Sequence, residues 1–466
     1  MPKTPNVLIL MTDQQRHDYL GCAGNAWLHT PNMDRLAREG VRFTRAYTTS
    51  PLCMPARASF VSGQYLHNHH LATNAGMLPA ESDTFMRRLQ QAGYHTAFVG
   101  KGHFYGHGGG TDLRHWETYV RSRGFDDVHE TTGPLSTLGT ESYLTAFWRE
   151  RGLLDAFRDD YRRRRAFPGV ATWPSPLALE DQLDSYIGQQ SVAWLEHYTG
   201  EQPFLLWAAF GAPHPPFDAP AEYASMYDEA EIPAAAPPAD IPAWAPRHVA
   251  TFLSHSRAYD PAVLRAARAQ YARKISLVDY WFGRLLAVLE RRGMLEDTCI
   301  LFFSDHGDML GEQGRMGKGC FFEPAVRIPL ILRYPALLPQ GRTIEAPVEL
   351  IDCFPTLLDI GGAEPSGSAF GRSLVPVASG ATTEHRSPIF SELNRHVMVF
   401  DGRHKYTVDG QAGGYMLYDL QADPGERRNL IGHPDVAALE RQLREQLLEW
   451  LVRTQVVLTW PANSAE

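Results

Sequence analysis

The sequence is poor in cysteine, in long apolar runs and in excess positive charge. Its 466 residues include five cysteines without paired spacing, a set that favours reduced thiols over a disulfide framework. Lys and Arg number 44 against 53 Asp and Glu, which gives a formal net charge of −9. This acidic balance argues against broad electrostatic binding to nucleic acid or to an anionic membrane surface.

The apolar runs are also short, and none approaches the roughly 18 residues that a membrane helix requires. The first run, Val7–Met11, is too short for the apolar core of a secretory signal and leads directly into Thr12 and Asp13. We therefore expect a buried strand at this position, no membrane association and a cytoplasmic location.

Short apolar runs alternate with helical patterns along most of the chain. This alternation predicts an α/β fold with a large mixed, mainly parallel sheet sandwiched by helices. The helical patterns include Phe85–Gly93 and Ala262–Arg292. The expected strands are Val7–Met11, Val41–Tyr47, Thr96–Val99, Phe204–Phe210, Cys299–Phe303 and Ile328–Leu332.

The pattern changes after about residue 379, where four short strands follow one another closely and precede a helix over Val436–Val452. They predict a small C-terminal antiparallel sheet with a covering helix. We place the main α/β domain at residues 1–377 and this subdomain at residues 378–466. The four strands are Pro388–Glu392, Val397–Phe400, Lys405–Val408 and Met416–Tyr418.

Two other segments have a distinctive composition. Arg158–Arg165 is the densest charge run, which favours a solvated helix end over a lip that attracts an anionic substrate. Pro213–Pro246 is rich in proline and alanine and predicts a long surface excursion.

The stretch around Cys53 carries the most specific chemical signal. A single cysteine is usually a small buried hydrophobe, so Cys53 alone says little. The phosphatase loop, with an arginine six residues after its cysteine, is excluded because position 59 is Ser59. What remains is Cys53-Met54-Pro55-Ala56-Arg57. This Cys-x-Pro-x-Arg pattern resembles the sulfatase family, in which it marks the cysteine for oxidation to formylglycine, an aldehyde.

Other segments support the same resemblance, in the family's order along nearly the whole chain. A chance match at one motif is believable, whereas five in the right order are not. Beyond the cysteine motif, they are Asp13 at the end of the first strand, Gly93–His103 as the second signature, Ala212-Pro213-His214, Ser304–Gly307 with Lys318 after it, and Tyr418–Leu430 as the C-terminal motif.

The residues themselves are consistent with this reading. Ligand sites of α/β sheets lie at the carboxyl ends of the strands, where Asp13 and Asp305 are expected to converge. Two carboxylates with a carboxamide and an imidazole make a divalent metal site. Each carboxylate alone could equally cap a helix or a turn. Arg57, Lys101 and Lys318 would add positive charge around an anionic substrate.

The resemblance implies hydrolysis of a small-molecule sulfate monoester to an alcohol and inorganic sulfate. In the family the aldehyde is hydrated, and one of its oxygens attacks sulfur to give a covalent sulfate ester. Two cofactors are implied, the formylglycine derived from Cys53 and one divalent ion. A formylglycine-generating maturation enzyme is the implied partner, and a homo-oligomer is a further expectation.

The resemblance also assigns roles to individual residues. Arg57 and Lys101 steady the formylglycine, His214 and Lys318 face the ester and assist the leaving oxygen, and His103 takes the proton from the second hydroxyl. Asn74, on the loop after the cysteine helix, contacts the substrate or forms a turn. The implied metal ligands are Asp13, Gln14, Cys53, Asp305 and His306.

Two positions depart from the usual family pattern. Many sulfatases have Asp-Asp and Asp-Asn where this chain has Asp13-Gln14 and Asp305-His306. The variant resembles the branch that contains choline sulfatases and phosphonate monoester hydrolases. Most of the implied ligands carry oxygen, which calcium prefers, so calcium is the first expectation. The imidazole nitrogen of His306 weakens the case for calcium and makes manganese the alternative.

Two competing functions follow from these departures. A phosphonate monoester or phosphodiester hydrolase on the same scaffold is the close alternative, although the phosphonate enzymes tend to have Tyr and Thr where this chain has Lys101 and His103. A non-catalytic anion-binding protein that keeps Cys53 as a thiol is the alternative from another class.

Overall fold

The computed structural model describes residues 4–455 of the chain and contains two main sheets. The strands are β1 (Asn6–Asp13), β2 (Val41–Phe43), β3 (Ala46–Tyr47), β4 (His95–Gly100), β5 (Asp127–Glu130), β6 (Phe204–Pro213), β7 (Thr298–Ser304), β8 (Arg327–Ile328), β9 (Leu330–Arg333), β10 (Arg342–Ile344), β11 (Val348–Glu349), β12 (Ile389–Leu393), β13 (His396–Phe400), β14 (His404–Asp409) and β15 (Gly413–Asp419). The helices are α1 (Pro31–Glu39), α2 (Cys53–Ser62), α3 (Leu66–His69), α4 (Phe85–Gln91), α5 (Glu117–Arg121), α6 (Tyr143–Glu150), α7 (Leu154–Ala166), α8 (Leu183–His197), α9 (Arg247–Ser254), α10 (Pro261–Arg291), α11 (Glu323–Val326), α12 (Cys353–Gly361), α13 (Val375–Ser379) and α14 (Ala437–Arg453).

Eight strands form the large sheet in the order β10-β2-β9-β7-β1-β6-β4-β5. Strand β9 runs antiparallel to both of its neighbours, and the other neighbouring pairs are parallel. Strand β1 lies between β6 and β7 and is buried along its whole length. The mixed, mainly parallel sheet is therefore confirmed.

Helices cover both faces of this sheet, which explains why its central strands are continuously apolar. Leu8 and Leu10 of β1 point into one core, which they share with residues of α1, α8 and α10. Ile9 and Met11 point into the opposite core, which is built with α2, α4 and α12. Alternate residues of a strand face opposite sides of a sheet, so both sides of β1 are packed.

Strands β12 to β15 form the small sheet, and every neighbouring pair in it is antiparallel. Leu443, Leu447 and Trp450 of α14 pack on it in a common core with Phe390 and Val399. The antiparallel C-terminal sheet with its covering helix is thus confirmed. The division between residues 377 and 378 remains a prediction.

A buried ion-pair cluster connects the small sheet to the main body. The fully buried Nζ of Lys405, on β14, lies 2.9 Å from Glu323 Oε1 and 2.5 Å from Glu426 Oε1. Tyr47, on β3, donates to the other oxygen of Glu323 over 3.1 Å. These groups are satisfied only while the two parts of the chain are docked, because they come from separate segments.

We expect Lys405→Met to lower the free energy of unfolding by about 3–5 kcal/mol, because it leaves Glu426 buried without its cation and Glu323 with only Arg327, 3.6 Å away. Equilibrium denaturation in urea measures this change. Arg403→Met is the matched control, since Arg403 forms an exposed pair with Asp419 on the same sheet and such pairs contribute little. Coincident denaturation curves for Lys405→Met and wild type would show that the cluster does not hold the sheet.

Three sequence expectations are wrong in detail. Ile328–Leu332 is not one strand, because β8 lies in a separate three-stranded sheet of order β11-β3-β8, whereas β9 lies in the large sheet. Val41–Tyr47 is not one strand: it divides into β2 and β3, which belong to different sheets. The chain turns at Thr44, whose carbonyl accepts a hydrogen bond of 2.7 Å from the Arg327 side chain instead of a ladder partner. The expected surface excursion is partly interior, because Phe217 and Tyr227 lie in the main core.

The charge run on α7 is only in part a solvated helix end. Arg162 is exposed, whereas Arg164 is buried. Arg164 pairs with Asp160 over 2.5 Å and donates to the carbonyls of Trp173 and Pro174 over 2.8 Å. An arginine with these partners fastens the following loop to the helix. Within residues 4–455, no helix combines the length and apolar character needed to cross a membrane.

Candidate active site

Four neighbouring parallel strands deliver the predicted side chains to one edge of the large sheet. Strands β7, β1, β6 and β4 lie side by side, and their carboxyl ends lead to Asp305, Asp13, His214 and Lys101 respectively. Because parallel strands end at the same edge, residues nearly 300 positions apart in sequence become neighbours there. The convergence expected for Asp13 and Asp305 is confirmed.

Cys53 occupies the centre of this cluster as the first residue of α2. Its side chain is buried, and its Sγ lies 2.9 Å from Lys318 Nζ, 3.2 Å from His306 Nε2 and 3.8 Å from Asp13 Oδ1. The thiol is therefore surrounded by charged and polar groups at the start of a helix, a position that favours a negative charge.

The electrostatics of Cys53 follow from these neighbours. Burial alone would raise the pKa of the thiol, but the positive charges of Lys101, Lys318 and His306 lower it well below its ordinary value. Conversely, the negative charge at Cys53 helps to raise the pKa of Lys318 against the effect of burial. Such a microenvironment is typical of a reactive cysteine.

Four side chains around this point could hold a metal ion. The ligand atoms of Asp13, Cys53, Asp305 and His306 all lie within 4.8 Å of one another, and all four residues are buried. Carboxylate oxygens suit calcium or manganese, and an imidazole suits manganese better than calcium. The donor set therefore fits a single divalent cation.

Arg57 connects the two carboxylates of this group. It is fully buried, with Nε 3.0 Å from Asp305 Oδ2 and one terminal nitrogen 3.1 Å from Asp13 Oδ2. Its other terminal nitrogen donates to the carbonyl of Lys101. Burial by itself would lower the pKa of Arg57. The charges of Asp305 and Asp13 outweigh this effect and raise the pKa, so the guanidinium stays charged. The guanidinium of Arg57 thus fixes both carboxylates and the end of β4 together.

Gln14 and Asp308 form a second layer beside this group. The Gln14 side chain donates through Nε2 to Asp308 and accepts from Lys318 Nζ over 2.6 Å. Sequence reasoning missed Asp308, although an acid directly after the Ser304–Gly307 motif was a usable signal. Its Oδ1 accepts from the backbone nitrogens of Leu310 and Gly317, so it also holds the segment that leads to Lys318. The role of Gln14 as a metal ligand stays a prediction.

His103 and His214 both lie close to Cys53, and the interaction with its side chain partly offsets the lowering of the pKa of each histidine. Burial lowers the pKa of His103 to about 3. Burial, followed by the charge of Lys318, lowers the pKa of His214. The Nδ1 atom of His214 lies 2.6 Å from the carbonyl of Pro215, which can only accept. Nδ1 therefore carries the hydrogen in the neutral ring, which leaves Nε2 as the nitrogen available to interact with Cys53.

A buried histidine and glutamate behind His103 were not found from the sequence. The ring centroid of His107 is 5.1 Å from that of His103, and its Nε2 lies 3.7 Å from Glu130 Oε1. Gly102 allows this close packing, because a Cβ there would stand 2.7 Å from the same glutamate oxygen. No sequence pattern links Glu130 to this loop, since the two come from different strands.

Asn74 lies on the exposed loop after α3, and this loop reaches the start of α2. Its Oδ1 accepts a hydrogen bond of 3.0 Å from the backbone nitrogen of Met54, the residue after Cys53. The asparagine therefore caps the helix that presents the cysteine. Contact between Asn74 and a substrate remains a prediction.

The mixed α/β sheet, with a buried cysteine, two aspartates and a histidine gathered at one edge, places the protein in the alkaline phosphatase superfamily. Within that class the chain belongs to the sulfatase family: the Sulfatase model matches residues 5–363, and the model for the C-terminal part of N-sulphoglucosamine sulphohydrolase matches residues 311–453. The protein is accordingly a sulfuric ester hydrolase.

Individual relatives are similar to this chain over nearly its full length. The choline-sulfatase of Rhizobium meliloti is 32% identical over 92% of this chain and 83% of its own. The arylsulfatase of Clostridium perfringens is 29% identical over 96% and 94%. Among solved structures, the phosphonate monoester hydrolase of Silicibacter pomeroyi superimposes with a TM-score of 0.82, at 28% identity over 97% of this chain and 96% of its own.

Proposed function

We propose that Cys53 is matured to formylglycine and that the protein hydrolyses a sulfate monoester through the hydrated aldehyde at this position. The observation that carries the proposal is the placement of Cys53 Sγ at the start of α2, within 3.2 Å of both Lys318 and His306. An oxygen nucleophile at this point would have cations on the side where sulfuryl charge develops.

The surrounding side chains supply the remaining steps of this proposal. Arg57 and Lys101 steady the formylglycine, and Arg57 also keeps the acidic residues in place. His214 and Lys318 assist the departing ester oxygen, and His103 removes the proton from the second hydroxyl of residue 53 so that sulfate leaves.

A divalent cation held by the carboxylates and imidazole, with Gln14 as a further ligand, would neutralise charge on the sulfuryl oxygens. We propose calcium first and manganese as the alternative. Maturation by a formylglycine-generating enzyme, a cytoplasmic location and a homo-oligomer complete the proposal.

Hydrolysis of phosphonate monoesters or phosphodiesters is the second candidate. It is favoured by the similarity to the phosphonate monoester hydrolase of Silicibacter pomeroyi and by the Asp305-His306 pair. Lys101 and His103 argue for sulfate esters, because both lie against Cys53 and both differ from the residues that the phosphonate branch tends to have.

We expect the matured enzyme to prefer 4-nitrophenyl sulfate over 4-nitrophenyl phenylphosphonate by about tenfold or more in kcat/KM. The two esters share one leaving group, so the ratio reports recognition of the sulfuryl or phosphonyl centre alone. Steady-state assays should give the higher kcat/KM for the sulfate ester both with calcium and with manganese. A large preference for the phosphonate under both metals would replace the leading proposal with the second candidate.

A further inference from the structure

A buried lysine on the long helix α10 holds the loop that carries His214. The Nζ of Lys274 donates three hydrogen bonds of 2.9 Å each, to the carbonyls of His214 and Pro216 and to Asp218 Oδ1. All three acceptors lie on the loop after β6. An ammonium has three donors, so every one of them is used, as burial requires.

The hydrogen bonds of Lys274 lie on both sides of the Pro215 carbonyl, the group that orients the His214 ring. The ring donates through Nδ1 to the carbonyl of Pro215, and Lys274 fixes the carbonyls of the residues on both sides of Pro215. A shift of the loop would move the Pro215 carbonyl and rotate the imidazole with it. The direction of Nε2 toward Cys53 therefore depends on Lys274.

Side chains from two other helices hold this loop and the end of β6 that leads into it. Tyr161 of α7 donates to the second oxygen of Asp218 over 2.9 Å. Asp184 of α8 accepts from the backbone nitrogens of Gly211 and Ala212 over 2.8 and 2.9 Å. Lys274 differs from both because it alone among them contacts the backbone of His214 itself.

We propose that Lys274 is a positioning residue that directs His214 Nε2 at the departing ester oxygen. The inference rests on the proposed function. As a hydroxyl oxygen of hydrated residue 53 bonds to sulfur, it gives up its proton to solvent and the bond between sulfur and the ester oxygen breaks. The departing ester oxygen takes the Nε2 proton of His214 in its imidazolium form, which keeps its Nδ1 hydrogen on Pro215, and the proton given to solvent restores the imidazolium. Lys274 exchanges no proton and acts only through the loop.

The test compares two sulfate esters whose leaving groups need different help. The leaving group of an alkyl sulfate is a strongly basic alkoxide, so its departure depends on a proton. The 4-nitrophenolate of 4-nitrophenyl sulfate is a weak base and leaves readily without one. We expect Lys274→Met to lower kcat/KM for the alkyl sulfate by about tenfold to a hundredfold, and for 4-nitrophenyl sulfate by about threefold or less. Lys274→Arg should restore part of the loss, because it can still donate to the carbonyls.

Controls separate this role from a general effect on folding. Arg284→Met removes an exposed cation from the same helix and should leave both activities unchanged. In a His214→Ala background, Lys274→Met should cost the alkyl sulfate less than about a further twofold, because coupled residues are not additive. Equal losses on both esters, or full additivity with His214→Ala, would overturn the inference.

A measurement that does not depend on turnover distinguishes failure of the Lys274 inference from failure of the proposed function. In histidine NMR the Nδ1 hydrogen of His214, assigned by its absence in His214→Ala, should exchange faster with solvent in Lys274→Met than in wild type. Unchanged exchange would overturn the positioning role. If wild type cleaves only phosphonate esters, the leading function fails, and the same comparison is made with alkyl and 4-nitrophenyl phosphonates.

Discussion

Replacing Cys53 with alanine is expected to abolish turnover, with a loss of about ten-thousandfold or more in kcat. The substitution removes the atom at the centre of the cluster, and neither hydroxyl nor aldehyde can then be formed at this position. The fold should persist, because alanine suits a helix and the change removes only one sulfur. Activity assays and thermal unfolding on protein co-expressed with a formylglycine-generating enzyme measure both effects.

Cys353→Ala is the matched control for this prediction. Cys353 also begins a helix, α12, and is also buried, but burial and then Asp352 raise the pKa of its thiol well above the ordinary value. Cys53 differs because Lys101 and Lys318 lie beside it. Full activity in Cys353→Ala is therefore expected, and substantial residual activity in Cys53→Ala would remove the proposed nucleophile.

Peptide mass analysis of the active wild-type enzyme tests the modification itself. Conversion of cysteine to formylglycine lowers the mass of the peptide containing residue 53 by about 18 Da. An unmodified peptide from fully active protein would contradict the aldehyde mechanism. A retained thiol together with no turnover, in protein from its native host, would favour the anion-binding alternative.

The parts of the site that could be predicted from the sequence depend on local patterns and on one rule of sheet geometry. Asp13 and Asp305 directly follow apolar strands, and parallel strands end at one edge, so their proximity was foreseeable. The motif around Cys53 is likewise local, because it lies within the five consecutive residues Cys53–Arg57. These inferences need no knowledge of which distant segments pack together.

The parts that were missed depend on contacts between distant elements. Lys274 lies within the pattern of a long helix, where nothing marks it as a partner of a loop 60 residues earlier. Glu130 meets Gly102 only because β4 and β5 are adjacent in the sheet. Arg164 was read with its charged neighbours, although tertiary carbonyls determine its burial.

Asp305→Asn is expected to lower kcat by about a thousandfold and to abolish the stabilisation that a divalent ion gives. A metal that binds only the folded protein raises its melting temperature. After treatment with a chelator, added calcium or manganese should therefore raise the melting temperature of wild type but not of Asp305→Asn. The exposed Asp359→Asn is the control and should respond as wild type does. An equal metal-dependent rise in Asp305→Asn would contradict the assigned site.

The identity of the metal can be tested through His306, the one imidazole among the proposed metal ligands. His306→Asn replaces the imidazole with a carbonyl oxygen, so it should shift the preference from manganese toward calcium by about tenfold, measured by calorimetric titration. The chelated protein should stay folded, because Arg57 and Lys101 already pair with the acidic ligands. Loss of the ion should thus remove activity without removing the fold, which circular dichroism of the chelated enzyme checks directly.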